Sequence, residues 1–172
     1  IRSGPLPPRA LLELGTQAPD FNLIDAVSER HYSLNDFTGD HPFVVMFICN
    51  HCPYVRAVIG RLVTAANVLM AEGIGFAAIS SNDAASFPRD SFDNMKVFAE
   101  EHDFTFPYLY DESQDIARAY GAMCTPDFFG ISANGTIEYR GRLDEGRIDP
   151  PPHGAKRELI DAMRMIAQTG KG

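Results

Sequence analysis

Seven residues, Phe43-Val-Val-Met-Phe-Ile-Cys49, run without one charged or hydroxyl side chain, and they constrain the fold more than any other stretch. The run is short and rich in residues that suit a pleated surface. That is the pattern of a strand covered on both faces, which belongs in a sheet layered between helices. The chain continues through Asn50, His51 and Cys52 to Pro53. Proline suits a helix's first turn, where its missing N–H would have no partner anyway. Val55, Val58, Ile59, Leu62, Val63, Ala66, Leu69 and Met70 then follow at helical spacing up to Gly73.

The same alternation continues. Residues 74–80 read as a second buried strand, followed by a polar loop, Ser81–Asp90. Ser91 is placed to cap a helix whose inner face is Phe92, Met95, Phe98 and Ala99. A short strand ends at Asp111, and Ser113 is expected to cap a helix running to Gly121. Asn134-Gly135 between two apolar segments is a strong hairpin signal. Leu159, Ile160, Met163 and Ile166 mark a last helix. Upstream, Phe21, Leu23, Tyr32 and Leu34 alternate with polar residues around a turn, which suggests a short strand pair. The expected architecture is α/β, a central mixed sheet flanked by helices with an N-terminal β-hairpin extension. Residues 1–14, with Pro5, Pro7 and Pro8, read as an irregular arm, and 15–172 as a single domain.

With 172 residues, one core of ordinary size is expected. Lys and Arg number 15 against 23 Asp and Glu, a net charge of -8, which repels phosphate backbones and anionic lipid. Neither nucleic acid nor a membrane is therefore expected as a partner, and no unbroken apolar run approaches the roughly 20 residues of a membrane helix. The first residue is Ile1, so a start upstream is expected; cytoplasmic residence is the default, and a removed leader would place the domain in the periplasm or outside the cell.

Three cysteines are too few, and of the wrong parity, for a disulfide scaffold. Cys49-Asn50-His51-Cys52 is the chemical centre. A lone Cys-x-x-Cys is also half of a zinc ribbon, but its place between a buried strand and a helix start favours thiol chemistry. Free N–H groups and the positive end of the helix dipole stabilise a thiolate there. Exchange with a disulfide passes through a mixed intermediate, so attack and resolution need two neighbouring sulfurs. Cys49 is expected to be the exposed attacking thiol, and Cys52 the more buried resolving one.

Cys-x-x-Cys at a strand–helix junction, with Thr125-Pro126 leading into a later strand, resembles the thioredoxin-like superfamily. That resemblance implies a cis proline at Pro126 beside the dithiol, with Thr125 shaping the contact to substrate. Gly15-x-x-Ala18-Pro19-Asp20-Phe21, Leu34-x-Asp36-Phe37 and the Phe43–Cys49 strand narrow it to the redoxin (AhpC/TSA) branch. Phe-Ile-Cys-Asn-His-Cys-Pro-Tyr-Val and Gly-Ala-Met-Cys-Thr-Pro-Asp-Phe-Phe are similar to its peroxiredoxin-like members.

Departures sharpen the reading. Pro42 fits the peroxiredoxin pattern, but Met46 stands where those proteins carry a Thr or Ser hydroxyl, and their Arg before the Thr125 strand is missing. Two groups that polarise a peroxide are thus absent. Phe43 replaces thioredoxin's buried Asp, and the flanking Trp is absent. His51 before the second cysteine resembles the more oxidising relatives, which implies a couple less reducing than thioredoxin's roughly -270 mV.

The resulting expectation is a thiol–disulfide oxidoreductase in which Cys49 attacks, Cys52 resolves and His51 tunes Cys49. It needs no bound cofactor or metal, and works with a protein or small-molecule disulfide and an external thiol reductant, as monomer or homodimer. The alternatives are an atypical thiol-dependent peroxidase, or a non-catalytic thiol metal binder or redox sensor. Cys124 remains open: a third thiol accepting glutathione, forming an intermolecular disulfide or completing a soft metal site with Cys49, Cys52 and His51, or a small buried cysteine. Arg140 and Arg142 are expected to be solvated, and Phe128 and Phe129 to lie in the sheet core.

Overall fold

A computed structural model describes residues 13–37, 40–82, 87–122, 125–143 and 157–170. Strands β1 (Asn22–Asp25) and β2 (His31–Ser33) form the expected hairpin, followed by β3 (Phe43–Phe47) and helix α1 (Pro53–Ala71). Then come β4 (Gly75–Ser80), α2 (Phe92–Glu101), β5 (Tyr108–Tyr110) and α3 (Asp115–Tyr120). Strands β6 (Asp127–Ile131) and β7 (Ile137–Gly141) and helix α4 (Glu158–Thr169) close the order. Most of the arm 1–14, together with Cys124, lies outside the described residues.

The strands form one sheet in the order β2-β1-β5-β4-β3-β6-β7. β3 is central, parallel to β4 and antiparallel to β6, with Met46 opposite Ala78 on one side and Phe128 on the other. All of Phe43 to Cys49 is sealed from solvent. The reason is the two-residue period of a strand: Val44, Met46 and Ile48 enter the core under α1, α2 and α4, while Phe43, Val45 and Phe47 enter the core with α3. This is the sandwiched strand that the apolar run implies.

Helix α1 begins at Pro53, with Cys52 at its N-cap. By length and composition α1 is apolar enough to cross a membrane, a feature the count of unbroken runs does not reveal. Its Val55, Val58, Leu62, Ala66 and Leu69 are buried, so it has the character of a core helix.

Local signals hold elsewhere. The Ser91 hydroxyl accepts from Asn94 N–H at 3.2 Å and caps α2. Gly135, at φ +88°, turns the β6–β7 hairpin in a conformation that an L side chain resists. At α3 the expected cap is only partial. Ser113 accepts from Asp115 N–H at 3.2 Å, but the buried Asp111 carboxylate takes Ile116 N–H at 3.3 Å and Ala117 N–H at 3.0 Å. A carboxylate facing the free N–H groups of a first turn also meets the helix dipole, so it dominates the hydroxyl.

Candidate functional site

Pairing of β3 runs on past its end, where Ile48 N–H donates to the Ile79 carbonyl at 3.0 Å, and delivers Cys49 to the C-terminal end of this central strand. Three residues later Cys52 opens α1. Opposite them stands Thr125, joined to Pro126 by a cis peptide bond immediately before β6. Because β6 lies beside β3, the residue preceding it falls against the dithiol. Cys49 Sγ lies 3.6 Å from the Thr125 hydroxyl, and the Cys52 thiol donates to the Thr125 carbonyl at 3.7 Å. Cys49, His51, Cys52 and Thr125 are thus brought together, with Pro126 in the cis form that the resemblance implies. Cys124 lies outside the described residues.

One expectation is overturned. Cys49 is as fully buried as Cys52, both at 0% exposure. The continuous strand carries it beneath the surface, and Thr125 covers it. Neither thiol is joined in a disulfide. The Cys49 thiol is pushed up from the ordinary range, first by its hydrogen bond with Cys52, then by burial; the nearby Asp90 charge adds to this, and Thr125 opposes it.

His51 is the most accessible member of the motif, with 23% of its side chain exposed. Its ring is stacked on Phe87, centroids 4.7 Å apart and 5° from parallel. Its Nδ1 bonds to a carboxylate oxygen of Asp90.

Asp90 is the participant that sequence reasoning missed. It is wholly buried at the end of a short 3-10 turn, Pro88–Asp90. Its Oδ1 accepts Asn50 N–H at 2.8 Å and His51 N–H at 3.2 Å, while Oδ2 accepts the Asn82 amide at 3.0 Å besides the imidazole. Asn50 is locked in turn. Its side-chain amide donates to the Arg89 carbonyl at 2.8 Å, and its side-chain oxygen accepts the buried Tyr108 hydroxyl at 2.8 Å. Arg56 donates to the Asn50 carbonyl at 3.2 Å. A carboxylate between Arg89 and the cap residue Ser91 is the only mark Asp90 leaves in the sequence.

One of the two arginines departs from expectation. Arg140 is 12% exposed, paired with Asp127 and stacked on Phe129, whereas Arg142 is exposed as expected and pairs with Glu158 at the surface. Phe128 and Phe129 lie in the core as expected.

Cys49, His51 and Asp90 each place one donor atom within 4.8 Å of the others, close enough for a shared metal. Yet both Asp90 oxygens already accept two hydrogen bonds each. The donor set fits a hydrogen-bonded array better than a coordination sphere.

The model of the AhpC/TSA family matches residues 14–140. The chain belongs to the AhpC/TSA family. The redoxin resemblance read from Gly15 to the Cys-x-x-Cys is thereby borne out. A crystal structure of an uncharacterised conserved protein from Geobacillus kaustophilus is 45% identical, with 92% of this chain and 84% of that one covered at a TM-score of 0.83. Thiol-disulfide oxidoreductase ResA from Geobacillus thermodenitrificans (strain NG80-2) is 25% identical over 132 residues, which is 76% of this chain and 70% of that protein. The thioredoxin domain of a thiol-disulfide oxidoreductase from Bacteroides vulgatus superposes with a TM-score of 0.70 at 18% identity, covering 91% of this chain and 99% of that one. This last likeness places the AhpC/TSA-family chain in the thioredoxin-like fold.

Proposed function

We propose that this protein is a thiol–disulfide oxidoreductase that cycles Cys49 and Cys52 between dithiol and disulfide. The observation that carries the reading is the pair of thiols at a strand–helix junction, both in contact with Thr125 beside its cis peptide bond. The relative named for the same activity supports it.

In the reducing direction, Cys49 loses its proton and its sulfur attacks a substrate disulfide. One S–S bond forms, one breaks, and the first substrate thiolate leaves and takes up a proton. Cys52 then loses its proton, attacks Cys49 Sγ in the mixed disulfide, closes the Cys49–Cys52 bond and expels the second thiolate, which takes up a proton. Two electrons pass from the dithiol to the substrate. An external thiol reductant restores the dithiol by the reverse sequence. Substrates are protein or small-molecule disulfides, which must enter past Thr125 and His51 because Cys49 is covered at rest.

A peroxidase reading has less support. Met46 is buried in β3 and offers no hydroxyl, so the hydroxyl that touches Cys49 is that of Thr125. The test is turnover of insulin disulfides and of hydrogen peroxide by wild type, Cys49→Ser and Cys52→Ser with a thiol reductant. Insulin reduction lost in both variants, with a stable mixed disulfide on Cys49 in Cys52→Ser, is the expected result. Rapid peroxide consumption without insulin reduction would overturn it.

A further inference from the structure

The N–H groups that follow a nucleophilic cysteine at a helix start are the natural donors to its thiolate. Here the first two of them are already taken. Asn50 N–H and His51 N–H both point at Asp90 Oδ1, and His51 Nδ1 is bonded to Oδ2. Those are the donors that would otherwise favour an anion at Cys49. The carboxylate is wholly buried, with no Lys or Arg among its bonded partners among the described residues, and it shares a 4.8 Å cluster with Cys49 Sγ and the imidazole.

We propose that Asp90 is an internal competitor anion: it occupies the donor nest beside Cys49, keeps Cys49 a thiol in the resting reduced protein, and biases the Cys49/Cys52 couple toward giving up electrons. The proposal rests on the thiol–disulfide reading and adds its direction.

The physical step is a competition between two anions for one set of donors. Cys49 ionises by passing its proton to solvent, so a thiolate and a carboxylate then stand within 4.8 Å of each other in a buried setting. Their repulsion is screened little there. The reduced form gains no thiolate stabilisation from these N–H groups, and a couple whose reduced form is less stabilised is a stronger reductant. Placing His51 before Cys52 suggests the opposite bias, but that inference takes the imidazole as a lone cation. Paired with Asp90, its charge is compensated.

Asp90 is a positioning residue, since it acts through Asn50, His51 and the field at Cys49. Among the described residues, Cys49 also faces Cys52, Thr125 and Tyr108. Cys52 shares its hydrogen bond, Thr125 brings a neutral hydroxyl, and the Tyr108 phenol, pushed up by burial, remains protonated. Arg56 reaches the site only at the Asn50 carbonyl. The Pro88–Asp90 turn presents Asp90 as its acidic group toward the motif, with Asn82 behind it.

The test measures the pH midpoint of Cys49 alkylation by iodoacetamide, and the equilibrium of the dithiol with a glutathione buffer, for wild type, Asp90→Asn and Asp90→Glu. In wild type the midpoint should lie at or above the roughly 8.5 of free cysteine. Asn keeps the shape without the charge, so Asp90→Asn should lower the midpoint by at least about one pH unit. At a pH above both midpoints it should also shift the glutathione equilibrium about tenfold toward the reduced form, a rise of roughly 30 mV. Asp90→Glu keeps the charge and should stay nearer wild type in both readouts. Loss of packing alone does not separate Asn from Glu in this way.

An unchanged or raised midpoint in Asp90→Asn overturns the proposal. So does a wild-type Cys49 that is already thiolate at pH 7, a measurement that holds even where the variants fail to fold. Neither readout requires substrate turnover. A wild type that reduces no disulfide, yet shows these shifts, would instead count against the function and leave the competitor anion standing.

Discussion

Arg140 Nη2 donates to the Asp127 carboxylate at 2.8 Å and to the Gly121 carbonyl, also at 2.8 Å. One guanidinium on β7 therefore ties down both sides of the segment that carries Thr125 and Pro126. The two charged side chains are only 12% and 8% exposed. Burial pushes the Asp127 carboxyl up, and Arg140 opposes that push.

Removing the cation should expose this balance. Arg140→Met leaves Asp127 buried without a counter-charge, at a cost of about 3–5 kcal/mol at neutral pH. The sign with pH is definite. An unpaired buried Asp127 has its folded-state pKa above the unfolded value, so the folded form binds the proton more readily. The deficit against wild type should be full at pH 7 and shrink as pH falls toward roughly 4. Urea denaturation of both proteins at several pH values measures it; a deficit independent of pH would mean that packing, not charge, holds the segment.

The Thr125 hydroxyl favours the Cys49 thiolate. Thr125→Val removes the donor and keeps the shape. The pH midpoint of Cys49 alkylation should rise, and the rate at pH 8 should fall by about tenfold or more, on the order expected for one hydrogen bond to a charged group, about 1.5–3 kcal/mol. A rate equal to wild type would show that the hydroxyl serves only the substrate or the fold.

Cys52 acts in the opposite sense. Its hydrogen bond with Cys49 is the largest cause holding the Cys49 thiol up. In Cys52→Ala that bond is gone, so the Cys49 midpoint should fall and alkylation at pH 7 should speed up, even as disulfide turnover is lost. Mass spectrometry of the alkylated peptide against time separates the two effects. Slower alkylation than wild type would reverse the assignment.

How far the sequence discloses this site follows from the range of each interaction. The Phe43–Cys49 run, Pro53, Asn134-Gly135 and the Ser91 cap are local, and local chemistry decides them. The same holds for the Cys49/Cys52 pair, whose spacing fits one helix start. Thr125 is legible only through resemblance, because a strand pairing across the sheet brings it to Cys49. Asp90 is illegible for a simple reason: it belongs to a polar loop, and nothing in a loop's composition says that its last carboxylate turns inward to backbone N–H groups 39 and 40 residues earlier. Arg140 is hidden likewise. An arginine on an edge strand reads as solvated until the Asp on the neighbouring strand, two residues from its partner Phe129, is known to be buried. The exposure expected for Cys49 came from its role, while its burial came from the strand that carries it.

The sheet offers a last prediction, independent of the chemistry. Gly130 sits on β6 beneath α4, and a Cβ there would meet Met163 Sδ at 2.6 Å, Tyr139 Cβ at 3.0 Å and Ile166 Cδ1 at 3.2 Å. The methionine sulfur can swing aside, but Tyr139 is held by the neighbouring strand and its own hydroxyl, which donates to the Arg142 carbonyl at 2.7 Å. Gly130→Ala should therefore push α4 outward and cost about 1–3 kcal/mol, as overpacking of a filled core does. Thermal unfolding should show the loss. Alkylation of Cys49 in the folded fraction should be unchanged, because β6 meets the dithiol at its other end, next to Thr125. A variant as stable as wild type would show that α4 sits more loosely on the sheet than these contacts imply, and a changed Cys49 rate would mean that strain in β6 is transmitted along the strand to Thr125.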